Sequence, residues 1–237
     1  MTPAVVRDLR WMTDGQGYFL ARLGQNTDEH LEGPSRLPGW SGRHLLSHLG
    51  HNARALGRLA HWASTGETTP MYASPDTRAA EIEAGATWPV RRLRAFVEEE
   101  HDRLADALDR LTESLWQTQV VTAQGRHVTA DVIPWLRARE LWVHACDLPV
   151  AGDYADFPAD LVDALIADAL SRRSAQGVEL EVRADDRPAN AYGTTPRDGF
   201  VEGSAASLAR WLTGRGSSAR LRRTAPGTTL PVLPPWL

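Results

Sequence analysis

Apolar side chains recur at intervals of three and four residues through most of the first 148 positions. This spacing places them on one face of an α-helix and predicts a series of amphipathic helices. The predicted helices cover residues 4–23, 41–65, 77–84 and 89–111, and a further helix begins after Thr129. Four of these helices are long and are joined by loops, so residues 1–150 are predicted to form a helical bundle.

Residues that favour turns and helix ends mark the boundaries. Thr2 and Ser41 are suited to cap the first two helices, and Gly66 is suited to end the second. Glycines and prolines predict a loop over residues 24–40, and residues 118–128 are predicted to form a short hairpin or loop.

The pattern changes after residue 148. Residues 149–158 predict a linker, residues 159–174 a helix, and the alternating residues 178–184 a strand. Another strand at residues 200–203 and a helix capped by Ser204 follow, whereas prolines exclude a central strand or helix at residues 230–237. We therefore predict a small α+β domain over residues 151–237, behind a mainly α domain at residues 1–150.

Composition narrows the functional classes. The 237-residue chain is 42% hydrophobic with a formal net charge of −4, and its scattered arginines argue against a nucleic-acid partner. No apolar run is long enough to span a membrane, and the first 30 residues lack the apolar core of a signal peptide. Cys146 is the only cysteine, so we expect a cytoplasmic protein with a buried structural thiol, and a monomer is favoured.

Two helical segments carry pairs of potential metal ligands. Glu140 and His144 are four residues apart, and so are His44 and His48. Four residues turn a helix by about 400°, so the two side chains of a pair lie on one face, about 40° apart. Three protein ligands from two helices would leave the fourth coordination position of a zinc ion open, which is typical of catalytic zinc rather than structural zinc.

His48, Glu140 and His144 are the preferred set of ligands. His48 is flanked by leucines and lies deeper in its helix than His44, which is in the first turn. The alternative is that each of the three is an ordinary buried polar residue that only forms hydrogen bonds. His44 and His51 remain possible contributors.

Two arginines are candidates for binding a carboxylate. Arg215 lies between Gly214 and Gly216, where a tight turn would hold its guanidinium for a bidentate contact. The alternative is a helix C-cap followed by a solvated arginine. Arg78, which follows the loop at residues 71–75, has the same two interpretations.

Four motifs together resemble the mycothiol-dependent maleylpyruvate isomerases of actinobacteria, whose N-terminal half belongs to the DinB-like metal-binding bundle superfamily. The motifs are GWSGRHLLSH at 39–48, HWASTGETTPMY at 61–72, LRARELWVHACD at 136–147 and TGRG at 213–216. Their order and separation carry the resemblance, which extends over nearly the whole chain to PPWL at 234–237.

The resemblance implies a DinB-like four-helix bundle, a smaller C-terminal domain and a reaction. The family's zinc ligands fall on His48, Glu140 and His144, and its functional arginines fall on Arg78 and Arg215. The implied reaction converts maleylpyruvate to fumarylpyruvate in gentisate breakdown. It would use Zn²⁺ or another divalent metal, with mycothiol as the thiol cosubstrate. A thiolate at the metal would add reversibly to the alkene, the arginines would bind the carboxylate substrate, and the pocket would lie between the domains.

Two other functions fit the same residues. A mycothiol S-transferase would use the same metal and thiol but release a product that keeps the sulfur. A non-catalytic zinc-binding regulatory module would need a closed site of four ligands, and the sequence offers no obvious fourth ligand beyond His44 and His51. His51 also replaces an aromatic residue that the resemblance leads us to expect, which would alter the pocket wall.

Overall fold

The helical periodicity of the N-terminal region produces helices close to the predicted bounds. The computed structural model describes residues 1–188, 191–193, 199–216, 220–224, 230–234 and 236. The N-terminal helices are α1 (Pro3–Leu23), α2 (Asp28–Glu32), α3 (Gly42–Thr65), α4 (Pro75–Ala86), α5 (Val90–Asp109) and α6 (Ile133–Ala145). The predicted mainly α class is confirmed. Within the described part of the chain, no helix combines the length and apolar character that crossing a membrane requires.

Two local predictions in this region are wrong. The predicted loop at residues 24–40 contains α2, because the Thr27 side chain caps it by accepting a hydrogen bond from the His30 amide at 3.2 Å. The last helix of the region begins at Ile133, since Ala130–Val132 form a 3₁₀ turn. Pro134 therefore lies in the first turn of α6, where its missing N–H costs no helical hydrogen bond.

Close packing between α1 and α6 fixes the helix that carries two of the candidate ligands. The chain divides into two compact units, Met1–Gly152 and Asp153–Leu237, and in the first unit α1 packs along α6 while α3 packs on α4, α5 and α6. A Cβ atom at Gly15 would lie 2.7 Å from Nε1 of Trp142, so only glycine allows this approach. Trp142 Nε1 in turn donates a hydrogen bond to the Trp11 carbonyl at 2.9 Å.

The hairpin between α5 and α6 is short and antiparallel. Its strands are β1 (Gln119–Val121) and β2 (His127–Thr129). Gly125 turns the chain between them with a φ of 74°, a left-handed conformation that glycine adopts without steric cost.

The second unit mixes helices with a small sheet, as the α+β prediction requires. Its elements are α7 (Ala159–Ala175), β3 (Glu181–Ala184), β4 (Ala191–Gly193), β5 (Val201–Gly203), α8 (Ala205–Leu212) and β6 (Arg222–Arg223). The strand order is β4-β3-β5-β6, with β3 and β5 parallel and the other pairs antiparallel. The strands β4 and β6 have no signal in the sequence pattern. Of the proline-rich tail, Pro235 and Leu237 lie outside the described residues.

Glu100 shows how a buried charge stabilises the bundle. It lies on α5 with 4% of its surface exposed, Arg54 Nη2 donates to its Oε1 at 2.9 Å, and Arg103 also pairs with it. Burial raises the pKa of the Glu100 carboxyl, but the hydrogen bonds and charges of the two arginines outweigh burial and lower the pKa. A carboxyl whose pKa is lowered by folding stabilises the protein above its unfolded-state pKa, and this contribution is lost as the pH falls through the folded-state pKa.

We expect Glu100→Gln to lower the free energy of unfolding by about 1–3 kcal/mol at neutral pH. The difference should narrow as the pH falls below the ordinary pKa of a glutamate carboxyl, about 4.3, and through the lower pKa of the folded Glu100 carboxyl. Urea unfolding over this pH range measures both effects. Glu99→Gln is the matched control, because Glu99 is exposed and lies 3.7 Å from Arg103; an equal loss in both variants would contradict the role of burial.

Candidate metal centre

His48, Glu140 and His144 meet between α3 and α6. His48 Nε2 lies 3.0 Å from Glu140 Oε2 and 3.2 Å from His144 Nε2, and His144 Nε2 lies 3.2 Å from Glu140 Oε2. Among the described residues, this is the only group of three or more His, Cys, Asp or Glu side chains whose ligand atoms all lie within 4.8 Å of one another. Cys146 is buried and lies outside the group.

Helix geometry explains why these three side chains converge. Glu140 and His144 occupy successive turns on one face of α6, as their spacing requires. His48 comes from the facing helix α3. The residues are buried, with exposures of 4% for His48, 8% for Glu140 and 7% for His144. A buried carboxylate between two imidazoles needs compensating positive charge, which a proton or a metal ion can supply in addition to Arg139, whose Nη2 lies 3.6 Å from Glu140 Oε1.

The separations fit a metal ion. Ligand atoms bound at about 2.0–2.1 Å to a tetrahedral zinc lie about 3.3 Å from one another. The three observed separations, 3.0, 3.2 and 3.2 Å, are close to that value. Two imidazole nitrogens and one carboxylate oxygen form a ligand set of the catalytic type, which keeps a position for an exogenous ligand.

The cluster shares its protons unequally. Burial lowers the pKa of His48 to about 4, against the hydrogen bond with Glu140. Burial also disfavours a charged His144, but hydrogen bonds to Asp147 and Glu140 outweigh it and raise the His144 pKa. At Glu140 burial raises the pKa, and the hydrogen bonds to both histidines reverse this and hold it well below its usual range. Of the two imidazoles, His144 therefore holds a proton more strongly than His48, and a metal ion would displace that proton.

Asp147 orients one of the imidazoles and was not among the residues that the sequence identified. Its Oδ2 lies 2.8 Å from Nδ1 of His144, and its side chain is 1% exposed. A carboxylate at Nδ1 holds the proton on that nitrogen, so Nε2 presents its lone pair to a metal. The spacing of three residues between His144 and Asp147 is the sequence signal that points to this pair.

Arg78 and two aromatic residues lie at the edge of the cluster. Arg78, on α4, is half-buried, and its Nη2 is 3.4 Å from Nδ1 of His48. The Tyr72 hydroxyl interacts electrostatically with the Arg78 side chain, and burial raises the pKa of Tyr72 to about 12, so its hydroxyl stays protonated. The ring of Trp40 lies 5.5 Å from the ring of His48. The structure thus places Arg78 beside the candidate ligands, together with Tyr72, to which the sequence analysis assigned no role.

Two further histidines of α3 lie outside the cluster. His44 Nδ1 accepts a hydrogen bond from the Ser41 amide at 3.2 Å, which makes His44 part of the capping box of the helix. The ring of His51 packs edge-on against Phe96 with centroids 4.9 Å apart, and its Nδ1 lies 3.5 Å from Glu81 Oε2. His44 therefore stabilises the helix start, whereas His51 packs in the interior of the bundle.

Arg215 lies in the second unit, on the turn after α8. Gly214 has a φ of 75° and donates to the Trp211 carbonyl, and the Arg215 amide donates to the Arg210 carbonyl, both at 2.9 Å. The turn is therefore a helix C-cap. The Arg215 side chain is half-buried, and its Nη1 donates to the Thr213 carbonyl at 2.8 Å.

Comparison with known proteins adds independent information. The family model for the mycothiol maleylpyruvate isomerase N-terminal domain matches residues 14–149, a span that contains the whole cluster. The crystal structure of a mycothiol-dependent maleylpyruvate isomerase superposes with a TM-score of 0.91 at 33% sequence identity and covers 100% of both chains. The structure of a mutant of such an isomerase, with one histidine replaced by alanine, gives the same values. No curated protein shows significant similarity to the chain.

Proposed function

The chain belongs to the mycothiol maleylpyruvate isomerase family, and we therefore propose that it converts maleylpyruvate to fumarylpyruvate with mycothiol as the thiol cosubstrate. As a member of that family it is an isomerase. The observation that carries the proposal is the buried cluster of His48, Glu140 and His144 in a chain related over its full length to such an isomerase. The proposed setting is gentisate breakdown in the cytoplasm, where thiols stay reduced.

The cluster is proposed to hold zinc or another divalent metal through His48 Nε2, Glu140 Oε2 and His144 Nε2. When bound, such a metal lowers the pKa of a thiol at its open position and so supplies a thiolate at neutral pH. Asp147 keeps His144 in the tautomer that ligation requires. The ionised Glu140 offsets part of the positive charge of the metal.

A thiolate removes the barrier to rotation about a carbon–carbon double bond. Its sulfur forms a bond to one alkene carbon, and the electron pair of the double bond moves into the conjugated ketone as an enolate. The former double bond is then single and rotates. The enolate pair re-forms the double bond as the carbon–sulfur bond breaks, so the thiolate is regenerated and nothing is oxidised, reduced or hydrolysed.

Arg78 is proposed to bind a substrate carboxylate and to stabilise the enolate. A His48 that offers the Nε2 lone pair to a metal carries its proton on Nδ1. That N–H cannot accept a hydrogen bond from Arg78, whose Nη2 is 3.4 Å away. Metal binding therefore leaves the guanidinium fork available to a carboxylate, whose geometry it matches. The protonated hydroxyl of Tyr72, which interacts electrostatically with Arg78, would help to hold the fork in orientation.

Arg215 is the second arginine of the proposal. Maleylpyruvate carries two carboxylates, so a single arginine leaves one of them unpaired. The family resemblance assigns a functional arginine to this position, and the Gly214 turn gives Arg215 a defined backbone conformation.

The test is an assay of zinc-loaded protein with maleylpyruvate and a substoichiometric amount of mycothiol, followed by chromatography and mass spectrometry. We expect many molecules of fumarylpyruvate per molecule of mycothiol, without sulfur in the product, and no conversion when the thiol or the metal is removed. Maleylpyruvate left unchanged in the complete mixture would refute the proposal. A product that keeps the sulfur would identify an S-transferase instead.

A further inference from the structure

Arg137 is a fully buried cation close to the candidate metal ligands. It lies on α6 three residues before Glu140, and its side chain is 0% exposed. Its Nη1 donates to the Leu49 carbonyl at 2.8 Å and to Asn52 Oδ1 at 3.0 Å, both on α3. Its Nε and Nη2 have no hydrogen-bond partner in the described part of the chain. Leu49 directly follows His48, so the guanidinium lies about one helical turn from the cluster.

A guanidinium is an unfavourable choice if its only task is to join two helices. Burial lowers the pKa of Arg137 to about 10, so the group remains charged at neutral pH. A neutral donor could bridge the same two oxygen atoms without the cost of desolvating a charge. Buried donors without partners are uncommon in native proteins and call for a specific explanation.

The titratable groups around Arg137 come from three segments. Glu140 on α6 and Tyr72 before α4 both interact with it electrostatically. His101 on α5 has its pKa lowered to about 3 by burial and then by the charge of Arg137, so it is neutral. Tyr72 is also neutral, because burial raises its pKa to about 12. Glu140 is therefore the anion of this set, and the two histidines of the cluster already pair with it.

We propose that Arg137 is a positioning residue whose buried charge favours a thiolate over a thiol at the metal centre. The inference rests on the proposed function, since it requires a metal and a thiol at the cluster. A positive charge near the cluster opposes the binding of a divalent cation and favours the binding of an anion. A thiolate ligand at the metal would therefore explain why the buried site carries the positive charge of Arg137. Since no ligand atom can reach a fully buried guanidinium, Arg137 acts through its electrostatic field and through the α3–α6 link.

Other charges near the cluster do not replace this contribution. Arg78, on α4, adds a positive charge at the edge, and the proposed function engages it with substrate. Asp147 is paired with His144. Arg139 lies 3.6 Å from Oε1 of Glu140, on the same carboxylate that faces the metal position. These groups are present in every variant compared below, so they do not affect the differences between variants.

The experiment uses the full chain loaded with Co²⁺ and titrated with 2-mercaptoethanol from low to high pH. The near-ultraviolet thiolate-to-cobalt band reports the thiolate without reference to activity. Arg137→Gln removes the charge and keeps an amide donor, and we expect the midpoint pH of the band to rise by about one unit. Arg137→Lys keeps the charge and should leave the midpoint within about 0.3 units of the parent protein. Arg137→Met is a second neutral variant and should raise the midpoint pH as much as Arg137→Gln does. It replaces Arg137→Gln in the comparison if that variant does not fold.

Three results would overturn the inference. One is a parent-like midpoint in a folded neutral variant that retains its cobalt. Another is an equal shift in the lysine variant and the neutral variants, which would show that the geometry of Arg137 matters rather than its charge. A parent protein without any thiolate band would overturn the proposed function together with this inference, whereas the first two results leave the proposed function intact.

Discussion

Replacing His48 by alanine is expected to abolish both metal binding and isomerase activity. The substitution leaves only Glu140 and His144, which form an ion pair at 3.2 Å and can share a proton without a metal. The chain should therefore still fold. Loss of a residue that hydrogen-bonds to a metal ligand typically lowers metal affinity by about 10–100-fold, and loss of the ligand itself should lower the affinity for Zn²⁺ by more than that. Elemental analysis of the purified variant measures the metal, and the thiol-dependent assay measures the activity.

His44→Ala is the matched control for this prediction. It removes the same side chain from the same helix, one turn earlier, where the imidazole accepts a hydrogen bond from the Ser41 amide. We expect full metal content and a loss of about 0.5–1 kcal/mol in the free energy of unfolding from the weakened capping box. Full metal content in His48→Ala, or metal loss in His44→Ala, would show that the ligands are assigned wrongly.

Replacing Arg78 by glutamine is expected to reduce kcat/KM for maleylpyruvate by about 10–100-fold, which corresponds to the loss of one charge-assisted hydrogen-bonded contact. The metal content should not change. Once a metal occupies Nε2 of His48, Nδ1 carries the proton and accepts no hydrogen bond from Arg78, so the metal-bound form of His48 does not depend on Arg78. Steady-state kinetics at several substrate concentrations give kcat and KM separately. An effect on KM alone would indicate carboxylate binding, and a fall in kcat would indicate that Arg78 also stabilises the enolate.

The control for the Arg78 variant is Arg91→Gln on α5. Arg91 is exposed, so its replacement changes the net charge of the protein equally without touching the cluster. Kinetic constants within about twofold of the parent are expected. Equal losses in both variants would show that overall charge attracts the dianionic substrate, and a parent-like kcat/KM in Arg78→Gln would remove Arg78 from the site.

Features that depend on neighbours along the chain could be predicted from the sequence. The helical period predicted the long helices. Thr2 and Ser41 are the N-caps of α1 and α3, and Gly66 is the C-cap of α3, as their residue types predicted. The spacing of Glu140 and His144 was sufficient to place both on one face of α6. These are short-range effects, in which the geometry of a single helix relates sequence distance to spatial distance.

Features that depend on contacts between distant segments could not be predicted in this way. The pairing of Arg78 with His48, and of Arg137 with Asn52, joins residues on different helices. Asp147 lies only three residues from His144, but nothing local shows that its carboxylate is buried and turned toward the imidazole. The 3₁₀ turn before α6 and the strands β4 and β6 are likewise too short for a periodic signal.

The sequence by itself determined the helical class, the motifs of the family and the two candidate ligands that share α6, because each follows from residue order within one segment. Only the tertiary structure decided that His48, rather than His44, meets that pair, because the choice depends on how α3 packs against α6. It also decided which groups surround the cluster, from Asp147 to the buried charge of Arg137, since burial and electrostatic coupling exist only once the helices pack together.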